Sequence, residues 1–372
     1  MKNLNLSAVS ENLTKDIGSR RRELIDIAKR LGENGLLVRT WGNISVRDGK
    51  DHMLISPSGI RYEDMEADNI CRVNIRDLSW DGKLKPSSEM LVHAAAYIAR
   101  PDCEYIVHTH QTYATVASCL GIKDLKIYSD DYDLRIPVAD YALPGTARLA
   151  DNVASCLNRH RGSDFILLSN HGTLCLGESA DECVEQSVYM EKACRHYLTD
   201  KCRTDLDCGI VKGYDSHMED GRIVYEDGDV PQRVKRIHEE IYKKRPDVSY
   251  IVHNKSEASL IVSRRATVLR PLLDDFAQII GTGVRIPFNY HGRDGGRLIV
   301  SSKVNCVFVP DDGVYCLGDD LEEARAAALI ADKACIAQVA ASRSGHGKAL
   351  GLIDCMKMNR NYRKKYAALA KK

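Results

Sequence analysis

The sequence predicts an α/β fold laid down twice in tandem. Two observations carry this. Helical and strand periodicities alternate along the first half, and the order of markers in that half returns in the second at a nearly fixed offset. At 372 residues the chain also exceeds one typical domain, so two domains of ordinary size are expected.

In chain order, residues 18 to 34 predict an amphipathic helix with Leu24, Ile27 and Leu31 on one face, closed by Gly32 and Gly35. Short strands follow at Leu36-Leu37-Val38 and Ile44-Ser45-Val46-Arg47, parted by the turn Trp41-Gly42-Asn43. Met53-Leu54-Ile55-Ser56 leads to a second turn, Pro57-Ser58-Gly59. A third polar turn, Lys85-Pro86-Ser87-Ser88, opens a helix on which Glu89, His93 and Tyr97 share a face at four-residue spacing. That helix stops near Arg100-Pro101, since the residue before a proline is pushed out of the helical region.

Tyr105 to His110 reads as a strand rich in β-branched residues, with His108 and His110 on one side of it. A helix from Gln111 to Leu120 precedes an acidic, tyrosine-rich segment, Tyr128-Ser129-Asp130-Asp131-Tyr132-Asp133, which reads as a lid. The stretch Tyr141 to Thr146 opens a helix through Ala150 to Leu157. Phe165 to Leu168 is a buried strand ending in Asn170-His171-Gly172. Ser179-Ala180-Asp181-Glu182 is a capping box that starts a helix running to about Leu198.

The second half repeats the first. An offset of 145 aligns Val92-His93 with Ile237-His238, Tyr97 with Tyr242, and Arg100-Pro101-Asp102 with Arg245-Pro246-Asp247. It also aligns Tyr105-Ile106-Val107-His108 with Tyr250-Ile251-Val252-His253. Further on, Arg135-Ile136-Pro137 returns as Arg285-Ile286-Pro287 and Cys175-Leu176-Gly177 as Cys316-Leu317-Gly318. The chemistry does not return. Val234 stands for Glu89, Lys255 for His110 and Asp312 for His171, and no counterpart of the glycine turns at 42 and 59 is read there. A lysine at a ligand position opposes a divalent cation.

Lys+Arg 53 against Asp+Glu 52 gives a formal charge of +1, which argues against a nucleic-acid partner. No apolar run reaches the roughly 18 residues of a membrane span. The polar first residues lack a signal-like apolar segment, and the 13 cysteines are odd in number with no C-x-x-C pair. A cytoplasmic protein with reduced thiols, in contact with no membrane, is expected. Only the end of the chain, Asn361 to Lys372, is locally basic.

Three imidazoles with positions left open for water or substrate make a catalytic rather than a structural metal site. An H-x-H on a strand is, by itself, equally readable as a packed core pair. Glu89 one helix away, and His171 at another strand end, favour a metal centre. The duplicate supplies a control: it keeps its fold markers while losing two of three histidines and the acid. His93 recurs there as His238, which favours a structural role for it. The three small-residue turns could converge on one anion, although singly each reads as an ordinary tight turn.

Taken together and in order, Gly42-Asn43-Ile44-Ser45, Pro57-Ser58-Gly59, Pro86-Ser87-Ser88-Glu89, His108-Thr109-His110 and Asn170-His171-Gly172 resemble the class II, zinc-dependent sugar-phosphate aldolases and the adducin head. The resemblance is to the L-fuculose-1-phosphate aldolase type. It covers residues 20 to 200 in full and 210 to 340 as a degraded copy. It implies a three-layer α/β/α domain with a mostly antiparallel sheet. It also implies one Zn2+ per chain on His108, His110 and His171, with Glu89 as the proton-transferring base. Asn43, Ser58, Gly59, Ser87 and Ser88 would hold the substrate phosphate, and Tyr128 and Tyr132 are candidates for a proton-donating tyrosine.

The domain organisation this implies is a catalytic domain at 1–205, a degenerate repeat without metal ligands at 206–345, and a basic tail at 346–372. The expected activity is reversible cleavage of a ketose 1-phosphate to dihydroxyacetone phosphate and an aldehyde. Epimerase, dehydratase or decarboxylase chemistry in the same cage is the alternative within enzymes, and a non-catalytic adducin-like interaction protein is the alternative outside them. The epimerases carry Asp where this chain has Glu89, which favours the aldolase. Single-domain relatives form four-fold tetramers. A homo-oligomer is therefore expected, either a tetramer or a dimer in which the repeat takes a neighbour's place.

Overall fold

The computed structural model describes residues 6–37, 39–290 and 297–369. Two compact units divide the chain, Met1–Ser118 with Ile122–His196, and Cys119–Gly121 with Tyr197–Lys372.

The first unit contains α1 (Leu6–Glu33), β1 (Asn43–Asp48), β2 (His52–Ile55), β3 (Cys71–Asn74), β4 (Trp80–Asp81), α2 (Met90–Ala99), β5 (Tyr105–Thr109) and α3 (Thr112–Ser118). β6 (Asp124–Tyr128), β7 (Asp133–Ala139), α4 (Ala147–Arg159), β8 (Phe165–Leu168), β9 (Gly172–Gly177) and α5 (Ala180–Cys202) follow, the residues of α5 from Tyr197 on being counted with the second unit. Nine strands form one sheet in the order β4-β3-β2-β1-β5-β9-β8-β7-β6. Its pairs are antiparallel except β7 with β8.

Side chains alternate between the two faces of a strand, and this sorts the core. Ile106, Ile166, Leu174 and Leu176 join Val92 and Ala96 of α2 and Val153 and Leu157 of α4 in one buried cluster. On the opposite face, the Cys183 thiol of α5 donates to the Tyr105 carbonyl at 3.5 Å, and the Tyr105 hydroxyl donates to Glu23 of α1 at 2.7 Å. The result is a three-layer α/β/α arrangement.

The repeated Arg-Pro-Asp motif explains itself here. Arg100 caps α2 and ties it down through Asp102 at 2.7 Å, the Ser163 carbonyl at 2.8 Å and Asp164 at 3.0 Å. Arg245 does the same work in the second unit, donating to Asp247 at 2.7 Å and to the carbonyls of Ser301 and Val304 at 3.0 and 2.8 Å.

Three expectations are corrected. α1 begins at Leu6, well before residue 18. Leu36 and Leu37 form no strand: the Leu36 N–H donates to the Leu31 carbonyl at 2.9 Å, winding up the helix end, and both side chains are buried. Val38 lies outside the described residues. The expected lid at 128–133 is the turn of a β-hairpin, because Leu125, Ile127, Leu134 and Ile136 are buried and pin β6 against β7.

The second unit contains β10 (Ser216–Glu219), β11 (Arg222–Tyr225), α6 (Gln232–Lys244), β12 (Tyr250–Asn254), α7 (Glu257–Arg265) and β13 (Val268–Leu269). α8 (Asp274–Ile279), β14 (Val284–Arg285), β15 (Cys306–Val309), β16 (Gly313–Gly318), α9 (Leu321–Ser344) and α10 (Leu352–Leu369) complete it. Its main sheet runs β11-β10-β12-β16-β15 and is antiparallel throughout. Most of the expected basic tail is α10, and Lys371 and Lys372 lie outside the described residues. Among the described residues no helix is long and apolar enough to cross a membrane.

The register makes the duplication visible. Ser45 faces Ile106 and His108 faces Leu174 in the first unit; Ser216 faces Ile251 and His253 faces Tyr315 in the second. Gly213-Tyr214-Asp215-Ser216 thereby matches Gly42-Asn43-Ile44-Ser45. The repeat therefore does retain a counterpart of the first glycine turn, contrary to expectation. A Cβ on Gly213 would come within 2.4 Å of the His253 ring, so the close approach that requires glycine is preserved.

Candidate metal centre

Four side chains of the first unit meet at one point. His108 lies on β5, on the face of the sheet that α2 covers. His110 follows just beyond the strand. His171 sits in the tight connection from β8 to β9, where Asn170 takes φ +63° and the His171 N–H donates to the Leu168 carbonyl at 3.0 Å. Glu89 is the N-cap residue of α2, and the N–H groups of Val92 and His93 both bond to its carbonyl.

His108 Nε2 lies 3.0 Å from His110 Nε2 and 3.2 Å from His171 Nε2. Glu89 Oε2 is 2.9 Å from His108 Nε2, and Oε1 is 3.2 Å from His171 Nε2. All four ligand atoms lie within 4.8 Å of one another. His108, His171 and Glu89 are buried and His110 is half-buried.

These residues fit a divalent cation. His108 Nδ1 sits 2.7 Å from the Thr173 carbonyl, which can only accept, so that nitrogen carries the hydrogen and Nε2 is left as a bare lone pair. Imidazole nitrogens facing one another at 3.0 and 3.2 Å lie close to the ~3.3 Å edge of a tetrahedron with Zn–N bonds of about 2.0–2.1 Å. Three imidazoles and a carboxylate suit zinc and related ions.

Two glycines shape the cage. A Cβ on Gly172 would meet the Thr109 carbonyl at 2.4 Å, and one on Gly42, at φ +95°, would meet the His108 carbonyl at 2.5 Å. Both press on the backbone that carries the histidines.

Burial would raise the Glu89 carboxyl, but positive charge at the His108 and His171 nitrogens outweighs it and holds the group well below the usual carboxylate range. Burial, reinforced by His108, pushes His93 down to about 3. His93 is therefore neutral.

Two of the three expected anion turns are tied to each other. Pro57 and Pro86 form a bridge, the Ser58 N–H donates to the Lys85 carbonyl at 2.9 Å, and the Ser87 N–H donates to the Ser56 carbonyl at 3.1 Å. Ser58 and Gly59 thus share a neighbourhood with Ser87 and Ser88. Asn43 is engaged differently: its carboxamide bonds to Glu89 at 3.1 Å and to His93 at 2.5 Å. Tyr128 is exposed at the end of β6, and Tyr132 packs against Tyr189 and His196 of α5, with ring centroids 5.5 and 5.2 Å apart.

Tyr62 was not singled out from the sequence, yet its phenol lies within the electrostatic influence of Glu89. Its phenol is driven well above the ordinary tyrosine range by burial, against a hydrogen bond from Ser56 and with a further push from the Glu89 charge. It lies in a short 3-10 turn with no periodicity of its own. Only its position three residues after Gly59 could have drawn attention to it.

The model of the class II aldolase and adducin N-terminal domain matches the chain twice, over residues 22–198 and 204–339. The 5-methylthioribulose-1-phosphate/5-deoxyribulose-1-phosphate aldolase of Rhodospirillum rubrum is 34% identical over 182 residues, 48% of this chain and 79% of that protein. The L-fuculose phosphate aldolase of Escherichia coli K12 is 34% identical over 187 residues, 50% of this chain and 85% of that protein. A solved L-fuculose 1-phosphate aldolase aligns at 28% identity with a TM-score of 0.46, covering 60% of this chain and 96% of its own. The chain belongs to the class II aldolase and adducin N-terminal domain family, whose domain it carries in two copies.

Proposed function

We propose that the first unit is a zinc-dependent aldolase that cleaves a ketose 1-phosphate to dihydroxyacetone phosphate and an aldehyde. The observation that carries this reading is the convergence of three imidazole nitrogens and one buried carboxylate on a single point. His108, His110 and His171 would hold the metal. A divalent cation there supplies Lewis-acid polarisation of the ketose carbonyl.

The chain's own residues do the rest. Glu89 is the group that moves the proton at the carbon next to the carbonyl: in synthesis its carboxylate takes that proton, which ends on the oxygen of the aldehyde as it becomes a hydroxyl, and in cleavage the hydroxyl gives the proton up as the aldehyde forms and Glu89 passes a proton to the carbon. The turns at Ser58-Gly59 and Ser87-Ser88 offer serine hydroxyls and the N–H groups of Gly59 and Ser88 to the phosphate, which anchors the substrate away from the reacting carbons. Asn43, bonded to Glu89, connects these two functions. The second unit lacks the ligand set and would serve assembly of a homo-oligomer.

Incubating zinc-replete protein with a panel of ketose and deoxy-ketose 1-phosphates tests this. Release of dihydroxyacetone phosphate from at least one is expected. An epimerase, dehydratase or decarboxylase would release none, and that result would remove the aldolase reading.

A further inference from the structure

Behind Glu89 runs a line of buried polar side chains. Asn43 Nδ2 donates to Glu89 Oε2 at 3.1 Å, and Asn43 Oδ1 lies 2.5 Å from His93 Nε2. His93 Nδ1 is 2.6 Å from Ser45 Oγ, which is 2.9 Å from the Tyr97 hydroxyl. Asn43, Glu89, His93, Ser45 and Tyr97 are all buried.

Hydrogen accounting fixes the direction of every contact. An ionised carboxylate only accepts, so Asn43 must turn its NH2 toward Glu89 and its oxygen toward His93. That oxygen also only accepts, so His93 Nε2 carries the ring hydrogen. The neutral ring then has a bare Nδ1, which accepts from the Ser45 hydroxyl, and Ser45 accepts from Tyr97. The Glu104 carbonyl, 3.2 Å from the Tyr97 hydroxyl, is the more distant competitor for that last hydrogen.

The second unit provides an internal control. Ser216, His238 and Tyr242 keep the same network, with Ser216 Oγ 2.6 Å from His238 Nδ1 and 3.1 Å from the Tyr242 hydroxyl. By register, however, Tyr214 stands for Asn43 and Val234 for Glu89. His238 Nε2, fully buried, has no hydrogen-bond partner among the described residues. The Ser–His–Tyr part therefore serves the fold in both units. The His–Asn–Glu part exists only where the metal cluster exists.

We propose that His93 is a positioning residue for proton transfer, acting through Asn43: its Nε2–H locks the carboxamide orientation that aims an N–H at Glu89. Without that donor the carboxamide is free to rotate and set its oxygen against the carboxylate. This rests on the reading of Glu89 as the proton-moving group. His93 is thus more than the structural residue its recurrence implied.

The test combines turnover with a measurement that needs none. In zinc-replete protein His93→Leu is expected to lower kcat about 10–100-fold, less than the about 10²–10⁴-fold a general acid–base group itself contributes, with KM and metal content little changed. His93→Gln, whose amide NH2 can reach the Nε2 position, is expected to restore most of the loss. The double variant Asn43→Ala/His93→Leu should be no slower than Asn43→Ala alone, since residues acting as one unit are non-additive. His238→Leu, the control, should cost stability and leave kcat unchanged.

Nitrogen NMR of the ring in protein without substrate should find His93 neutral and protonated on Nε2. Additive losses in the double variant, or a hydrogen on Nδ1, would overturn the proposal. The Nε2–H form in a protein that cleaves no ketose phosphate would instead sink the aldolase reading and leave the geometry of His93 standing.

Discussion

Tyr315 lies flat on His253 in the second unit, with ring centroids 3.9 Å apart and planes within 12°, and its hydroxyl donates to Asp312 at 2.8 Å. The matching pair in the first unit is Leu174 and His108, where the imidazole instead meets His110 and His171. A tyrosine ring thus covers the histidine that survives in the repeat. Lys255 and Arg233 reach Asp312 at 3.3 and 3.1 Å, so positive charge is already built in where the first unit gathers ligands.

Tyr315→Phe keeps the stacking ring and removes one donor from a buried carboxylate. Loss of such a bond costs about 1–3 kcal/mol. Denaturant unfolding should show a loss of that order with the aldol activity unchanged; unaltered stability would mean that the hydroxyl contact is not formed.

Glu89→Gln keeps the shape of the side chain and removes the proton acceptor. Turnover is expected to fall by about 10²–10⁴-fold while the protein remains folded and still takes up metal. A variant that keeps more than a tenth of wild-type kcat would exclude Glu89 as the proton-moving group.

Gly172→Ala would place a methyl group 2.4 Å from the Thr109 carbonyl, between the two histidines of β5 and its end. The backbone must move. A stability loss of about 1–3 kcal/mol is expected for overpacking of this kind, accompanied by weaker metal retention on dialysis. Normal metal content at normal stability would show that β5 does not need the close approach.

Burial drives His238 down to about 3 and His253 down to about 4. In the unfolded chain both take up a proton near pH 6.5. Between pH 6.5 and about 4 the unfolded state therefore binds more protons, and stability must fall as the pH drops. The contribution is full at neutral pH and is lost progressively on acidification. Denaturant midpoints at pH 7.5, 6 and 5 should decline in that order; a flat profile would mean that these rings are open to solvent.

Much of this was legible in the sequence because short-range periodicity carried it. Spacing of two on a strand placed His108 and His110, and the proline at 101 ended α2 where expected. Parity along β5 and the fixed offset of 145 revealed the duplication. What escaped depends on contacts between distant segments. Asn43 looked like a member of an anion turn, but β1 lies beside β5 and brings its side chain to Glu89, 46 residues away. The Gly213 turn was hidden because the loop between repeat markers changed length, which breaks a fixed-offset comparison while strand register survives. The hairpin at 124–139 was obscured by its acidic turn, whereas the alternation Leu125, Ile127, Leu134, Ile136 carried the signal.

The central claim is that one metal centre, in the first unit, is built from His108, His110 and His171. Elemental analysis of the purified, zinc-replete chain tests it most directly. About one metal ion per chain is expected, falling to none in His108→Ala/His171→Ala. A chain with no bound metal, or with the same content in that variant, would contradict the account.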